Sequence, residues 1–150
     1  MKNIFSLLIV ATISMAILAC DNSSTEANSS AIDWNEIPQK CEVTLGEDKN
    51  TLIYNFVFAN WSLYDVDIFD GDSVYITETF SGITESDFEF FCNKDREDPA
   101  AFNVVCKDMT ITLTHKSYGA TAAMTMFLGK NACKELLNGT QTPGQFFEAE

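Results

Sequence analysis

The densest group of oxygen ligands in the chain is a set of acidic side chains on one short stretch, Asp65, Asp67, Asp70, Asp72 and Glu78. A hard cation such as Ca²⁺ takes about six to eight oxygen ligands, and the helical calcium-binding loop has its glycine sixth and its glutamate twelfth. Counting from Asp65, Gly71 is the seventh residue and Glu78 the fourteenth, so the spacing does not match. We predict a solvated hairpin surface and no bound metal. The alternative is a calcium site made by Asp65, Asp67, Asp70 and Asp72.

The only histidine is His115, and any Cys–His or Ser–His mechanism must use it. It ends a strand-like pattern beside Lys116, where an exposed histidine without a catalytic role is expected. The sequence contains no G-x-S-x-G or S-x-x-K motif and no phosphate-binding loop. Paired carboxylates hydrolyse glycosides in a deep cleft, which so small a domain seldom provides. We therefore predict no catalytic residue and no cofactor, with a small extracytoplasmic hydrolase as an alternative function.

The residues before Cys20 are apolar. Residues 4–18, IFSLLIVATISMAIL, follow a single Lys and stop at Ala19-Cys20. A membrane span needs about 20 apolar residues, whereas a secretory signal needs about 7–15. The stretch Ile17-Leu18-Ala19-Cys20 resembles the lipobox of bacterial lipoproteins, in which the cysteine sulfur receives a diacylglycerol and the preceding peptide is removed. The resemblance implies a lipid anchor at Cys20; the alternative is an ordinary signal peptide with Cys20 as a spare thiol.

The segment after Cys20 is polar. Residues 21–31, DNSSTEANSSA, contain nothing apolar beyond Ala, so they cannot bury enough surface to offset chain entropy. We predict a flexible linker with a mean reach of about 20 Å. The folded part is then expected outside the cytoplasm, tethered to the bacterial cell membrane or outer membrane.

The other four cysteines are expected to form two disulfides, because thiols in an exported chain are normally oxidised. Three pairings are open. We favour Cys92 with Cys106, which closes a short polar loop, and Cys41 with Cys133, which joins the two ends of the domain. Zinc is the rival interpretation, but no two of these cysteines lie within four residues of each other, whereas zinc sites use close pairs.

Two tryptophans, Trp34 and Trp61, are the candidates for a binding surface. Flat amphipathic rings give a large contact area at a low entropy cost. Trp34 stands in IDWNEIP, where the linker becomes the domain, while most other aromatic residues are expected in the core. A carbohydrate- or calcium-binding surface module is therefore a second alternative function.

The charge of the chain excludes some partners. It carries 22 acidic and 9 basic side chains, a formal charge of −13. Nucleic acids and anionic lipids bind proteins through cationic patches, and the sequence contains no run of Lys or Arg. The partners that remain are the membrane, through the lipid anchor, and an envelope protein, a glycan or a cationic molecule.

Period-two alternation predicts strands. Residues 51–58 suit a central strand covered on both faces, and residues 109–115 a half-exposed strand. Residues 63–79, LYDVDIFDGDSVYITET, predict a hairpin with a three-residue loop, Phe69 to Gly71. That loop points Asp65 and Asp67 outwards. It places these apolar side chains together on the other face: Tyr64, Val66, Ile68, Val74 and Ile76.

Capping residues predict the helices. Thr84 stands three residues before Asp87 and predicts a helix over residues 85–94. Asn131 and Asn138-Gly139 bracket a short helix, ACKELL. Residues 121–128, TAAMTMFL, fit either a strand or a helix, and we favour a strand paired with residues 109–115.

Taken together, the patterns predict an α+β fold, mainly β, with an antiparallel sheet and one or two short helices stapled by disulfides. The expected division is a signal peptide at residues 1–19, the lipidated cysteine and linker at 20–31, a single domain at 32–142 and a tail at 143–150. The predicted function is that of a membrane-anchored bacterial envelope lipoprotein with a non-catalytic binding or structural role.

Overall fold

The computed structural model describes residue 30 and residues 32–147. The predicted signal peptide at residues 1–19, the lipidation at Cys20 and the predicted linker, except residue 30, lie outside the described residues. Within the described part of the chain, no helix is both long enough and apolar enough to cross a bilayer.

Six strands and three helices make up the described part of the chain. The strands are β1 (Lys40–Leu45), β2 (Thr51–Val57), β3 (Ser62–Asp70), β4 (Ser73–Ser81), β5 (Ala101–Lys107) and β6 (Thr110–Lys116). The helices are α1 (Glu85–Glu97), α2 (Ala122–Leu137) and α3 (Pro143–Phe146). All strands pair antiparallel in one sheet of order β1-β2-β3-β4-β6-β5. The predicted α+β, mainly β fold is confirmed, although α2 is a long helix rather than a short one.

The helices cover one face of the sheet. Successive side chains of a strand point to opposite faces, and in β2 the side chains of Leu52, Tyr54 and Phe56 are buried under the helices. The opposite face of β3 and β4 carries exposed Tyr64 and Tyr75. β2 is therefore buried on one face and half-buried on the other, and the prediction that both of its faces are covered is wrong.

The β3–β4 hairpin has a different register from the predicted one. Asp70 pairs with Ser73, so the turn consists of Gly71 and Asp72, and Gly71 takes the positive φ of 58° that a tight hairpin turn requires. A register change by an odd number of residues moves every side chain to the other face. Asp65 and Asp67 consequently share the helix-covered face, and the prediction that they point to solvent is wrong.

Helix α1 begins where the sequence predicts. The Thr84 hydroxyl accepts a hydrogen bond from the backbone N–H of Asp87, and the Asp87 carboxylate accepts one from the backbone N–H of Thr84, both at 3.1 Å. The helix continues to Glu97 rather than ending at residue 94. Asp98 is the C-cap and has an extended conformation, because a residue that precedes a proline is disfavoured in the helical conformation.

Helix α2 replaces the favoured strand over residues 121–128 and absorbs the predicted short helix. Strand β6 already pairs with β4 on one side and with β5 on the other, so a following segment finds no free edge beside it. A turn with positive φ at Tyr118 and Gly119 redirects the chain, and the Thr121 hydroxyl accepts a hydrogen bond from the Met124 N–H at 3.3 Å. The chain then continues as one helix to Leu137.

Two disulfides fasten the two long helices to opposite edges of the sheet. Cys41 of β1 is bonded to Cys133 of α2, and Cys92 of α1 is bonded to Cys106 of β5. These are the pairings that the sequence favours. Because β1 and β5 are the two edge strands, each bridge holds one helix over one edge.

The chain after residue 142 packs on the core as far as it is described, up to Phe147. Pro143 and Gly144 are buried, and the rings of Phe146 and Phe147 lie 5.5 and 5.7 Å from that of Phe56. The segment expected as a tail from residue 143 is therefore part of the packed domain up to Phe147.

Candidate functional site

A cavity of about 510 Å³ lies between the helix-covered face of the sheet and the helices, and we call it the sheet–helix cavity. Helix α2 packs over β1 and helix α1 over β5, so the middle strands β3 and β4 run beneath the gap between them. The residues of the cavity used below are Tyr54, Asp65, Asp67 and Glu78 of the sheet, Lys94 and Asp95 of α1, and Thr125, Gly129 and Ala132 of α2.

Short side chains on both sides leave the cavity open. Helix α2 turns Thr125, Gly129 and Ala132 toward it, at the spacing of four and three residues that lines one helix face. Gly129 lets the helix approach the sheet, because a Cβ atom there would lie 2.7 Å from Cε1 of Tyr54. The sheet contributes Asp65 and Asp67, whose side chains are too short to fill the remaining space.

Three carboxyl groups form the floor of the cavity. Asp65 of β3 stands directly opposite Glu78 of β4, and Asp67 follows two residues later on the same face. Asp67 is only 4% exposed. The β2–β3 register places Tyr54 on the other side of Asp65, so a phenol adjoins the carboxyl groups.

A fourth carboxyl group, that of Asp95, reaches the cavity from α1 beside Glu78. The acids perturb each other in two pairs, Asp65 with Asp67 and Glu78 with Asp95. Two carboxyl groups this close do not readily carry a negative charge at the same time.

Burial is the main reason why these acids hold protons. It raises the pKa of Asp67 to about 7, and it raises the pKa of Asp95 to about 6 with help from the charge of Asp98. The pKa values of Asp65 and Glu78 are raised well above the ordinary range by burial and by neighbouring acids.

Three oxygens of these acids have no hydrogen-bond partner although they are buried. They are Oδ1 of Asp65, Oδ1 of Asp67 and Oδ2 of Asp95. Buried polar atoms in folded proteins are paired in the great majority of cases, so an unpaired one calls for an explanation. Within the described residues, Asp67 also forms no ion pair with a Lys, Arg or His side chain.

The remaining walls are mostly apolar, and the entrance lies near the turn between β6 and α2. Tyr118 and Met124 line the cavity and are 62% and 52% exposed, which places them at its entrance. Ser117 fixes this turn to the hairpin tip, because its hydroxyl donates a 3.0 Å hydrogen bond to the carbonyl of Gly71. The apolar wall includes Phe56, Leu63, Phe69, Ile76, Leu113 and Leu128.

His115 also lies on this face, which corrects the prediction of an exposed histidine. Its side chain is 17% exposed, with Nε2 3.1 Å from Oδ2 of Asp98 and Nδ1 3.0 Å from the carbonyl oxygen of Lys116. Both ring nitrogens thus face an oxygen acceptor, and both hydrogen bonds form together only when the ring carries two protons. Through these contacts the His115 side chain links β6 to the end of α1.

The predicted calcium set is divided between two places. Asp65 and Asp67 lie in the cavity, whereas Asp70 and Asp72 are exposed at the hairpin turn. Across residue 30 and residues 32–147, no group of three or more His, Cys, Asp or Glu side chains is arranged to hold a metal ion.

The two tryptophans that were candidates for a binding surface pack in the aromatic core. Trp61 is 3% exposed and stacks on Phe58 with ring centroids 4.1 Å apart. Trp34 is half-buried and packs against Phe90 and Phe91, with centroids 5.5 and 5.8 Å apart. They do not form a flat surface platform.

Asp95 and Lys94 of the cavity were not predicted as site residues. A signal for Asp95 is present, since it follows Phe91 and Cys92 by four and three residues on the buried face of α1. Asp65 and Asp67 lie two and four residues after Leu63, so their side chains point to the same face of β3 as this buried residue. That spacing could have indicated that the acids point toward the interior.

No protein-family model, no curated protein and no solved structure matches this chain.

Proposed function

We propose that this protein is a lipid-anchored lipoprotein of the bacterial envelope that binds a small ligand, without catalysing a reaction, in the sheet–helix cavity. The single observation that carries the binding role is a 510 Å³ cavity with mostly apolar walls and unpaired carboxyl oxygens on its floor. Ligand sites in proteins are typically concave and apolar, with a few polar groups that fix the orientation of the ligand.

The buried acids support a binding role because they cost stability in the absence of a partner. Burying an unpaired polar atom typically costs about 1–3 kcal/mol, and more if it is charged. Replacing Asp65, Asp67 and Glu78 by apolar residues would remove that cost and fill the space. A chain that keeps three acids on the buried face of two neighbouring strands is best explained by a ligand that pairs with them.

The anchoring role is supported by the amino-terminal residues, most of which lie outside the described part of the chain. Ile17-Leu18-Ala19-Cys20 resembles a lipobox, and the polar residues 21–31 would separate the domain from the bilayer. The two disulfides fit an oxidising compartment outside the cytoplasm.

The binding role is tested by filling the cavity. The protein for this test is the mature chain from residue 20 with Cys20→Ser, because the detergent needed for the acylated form would take up an apolar probe. Ala132→Trp places a large ring in the cavity, and Ala123→Trp, on the exposed side of the same helix, is the matched control. The uncharged fluorophore N-phenyl-1-naphthylamine serves as the probe.

We expect saturable fluorescence enhancement with the parent chain and with Ala123→Trp, and its loss with Ala132→Trp. Thermal unfolding of all three proteins shows whether each is folded. Equal binding by both tryptophan variants, or no saturable binding by the parent chain, would contradict the proposed site.

A further inference from the structure

We propose that the ligand of the sheet–helix cavity is an apolar molecule bearing a protonated amine, whose N–H groups donate hydrogen bonds to the carboxylate of Asp67. This inference rests on the proposed binding function and adds the chemical class of the ligand. It follows from the kind of atom left unpaired, from the distribution of charge, and from the size of the apolar wall.

The unpaired atoms of the cavity require a ligand that donates hydrogen bonds. All three unpaired buried atoms that line the cavity are carboxyl oxygens, those of Asp65, Asp67 and Asp95, and an unprotonated carboxyl oxygen only accepts hydrogen bonds. A ligand with acceptor groups alone would leave them unsatisfied. An ammonium group offers several donors from one atom and is therefore suited to neighbouring oxygens.

The charges favour a cation near Asp67 rather than near Asp95. Lys94 faces the second pair, where its positive charge lowers the pKa of both Glu78 and Asp95. Among the described residues Asp67 has no such cation. A buried carboxylate without a counter-charge is costly, and a cationic ligand would remove that cost.

The size of the cavity requires an organic body on the amine. A volume of about 510 Å³ is far larger than a metal ion or an ammonium ion, and the wall beyond the acids is mostly apolar. An inorganic cation would satisfy the carboxylates and leave that wall uncovered, whereas an alkyl or aryl amine would cover both. The high negative charge of the chain, −13, also favours the approach of cations over that of anions.

The test compares three ligands with the same apolar body: decylamine, decanol and decanoate. Each is titrated into the mature Cys20→Ser chain at pH 8 by isothermal titration calorimetry. A charge-assisted hydrogen bond to a buried acceptor should make decylamine bind about tenfold to a hundredfold more tightly than decanol. Decanoate should bind more weakly than decanol, because its charge repels Asp67.

Two variants test whether Asp67 is the source of the preference for decylamine over decanol. Asp67→Asn removes the charge at nearly constant shape and should reduce the preference for decylamine over decanol to less than about threefold. Asp72→Asn removes the same charge from the exposed hairpin turn and should leave the preference unchanged. Thermal unfolding shows whether each variant is folded; if Asp67→Asn does not fold, Asp67→Ser repeats the test at the same position.

The outcomes separate this inference from the proposed function. Equal affinities for the amine and the alcohol, or an amine preference that Asp67→Asn does not reduce, would overturn the amine assignment and leave cavity binding standing. Saturable binding of none of the three ligands would overturn both.

Discussion

Asp65 and Glu78 stand directly opposite each other on adjacent antiparallel strands, on the face of the sheet that the helices cover. Two like charges in such a cross-strand pair destabilise a sheet. The pair is tolerated because burial and neighbouring acids raise the pKa of both groups, so both can keep their protons. The stability of the fold should therefore depend on these protons.

We predict that the free energy of unfolding falls as the pH rises from 5 to 8. The pKa of Asp67 is about 7 in the folded protein against an ordinary value of 3.8, so the folded chain holds a proton that the unfolded chain has released. The stabilisation by these protons is complete at a pH below the ordinary pKa of 3.8, where the acids are protonated in both the folded and the unfolded chain. It is lost as the pH rises through 6 and 7, where Asp95 and Asp67 ionise in the folded protein. The loss should be on the order of a few kcal/mol. Urea unfolding at a series of pH values measures it.

Asp67→Asn should weaken this pH dependence by removing the contribution of Asp67, and Asp72→Asn should preserve it. The titratable groups that line the cavity with Asp67 are Tyr54 of β2, Asp65 of β3, Glu78 of β4, Lys94 and Asp95 of α1, Asp98 at the end of α1, His115 and Lys116 of β6, and Tyr118 of the turn after β6. Stability that increases from pH 5 to pH 8 would contradict the assignment of buried protons.

Removing each disulfide should destabilise the fold by a different amount. The bridge Cys41–Cys133 spans 92 residues and Cys92–Cys106 spans 14. Chain entropy assigns about 4.7 kcal/mol to a 100-residue loop and about 3 kcal/mol to a 15-residue loop. Paired Cys→Ser variants, compared by urea unfolding, should show the larger loss for Cys41 and Cys133. Equal losses, or the reverse order, would mean that strain or residual structure outweighs loop length.

Gly129→Ala should destabilise the protein although alanine is the better helix former. Alanine at an open helix position gains about 0.8–1 kcal/mol over glycine. Here its Cβ would lie 2.7 Å from Cε1 of the buried Tyr54, and such overpacking typically costs about 1–3 kcal/mol. With Tyr54→Leu as the background the contact disappears, so the same substitution should become stabilising. A stabilising effect in the parent chain would show that the helix and ring are not in close contact.

Cys20 should carry the lipid anchor. Expression of residues 1–150 in a bacterium, followed by mass spectrometry of the membrane fraction, should find a chain that begins at Cys20 and bears a diacylglycerol. Cys20→Ser should remain unprocessed, while Asp21→Asn, which leaves the cysteine and the residues before it unchanged, should be acylated. An unmodified cysteine at position 20 of the parent chain would contradict lipid anchoring.

The sequence predicts features that depend on local chemistry or on chain geometry. The Thr84 cap fixes the start of α1 through bonds within four residues, and the spacing of the cysteines favours the two bridges observed. The antiparallel, mainly β fold follows from alternation and turn residues, which are also local.

Features that depend on how strands and helices pack against each other could not be predicted from the local sequence. The register of β3 and β4 depends on whether Gly71 occupies the first or the last position of the loop, and both choices satisfy the local pattern. The apolar alternation of Tyr64, Val66 and Ile68 indicated the wrong buried face, because the true interior contains acids. Residues 121–128 form a helix because β6 already pairs with β4 and β5 and has no free edge. That arrangement depends on the strand order of the whole sheet, which the local pattern does not contain.

A crystal structure of the mature Cys20→Ser chain with decylamine tests the binding site most directly. We predict electron density for the alkyl chain in the sheet–helix cavity, with the ammonium nitrogen about 2.7–3.2 Å from a carboxylate oxygen of Asp67. Decylamine bound on the open face of the sheet, or a cavity closed by the side chains around it, would contradict the assignment.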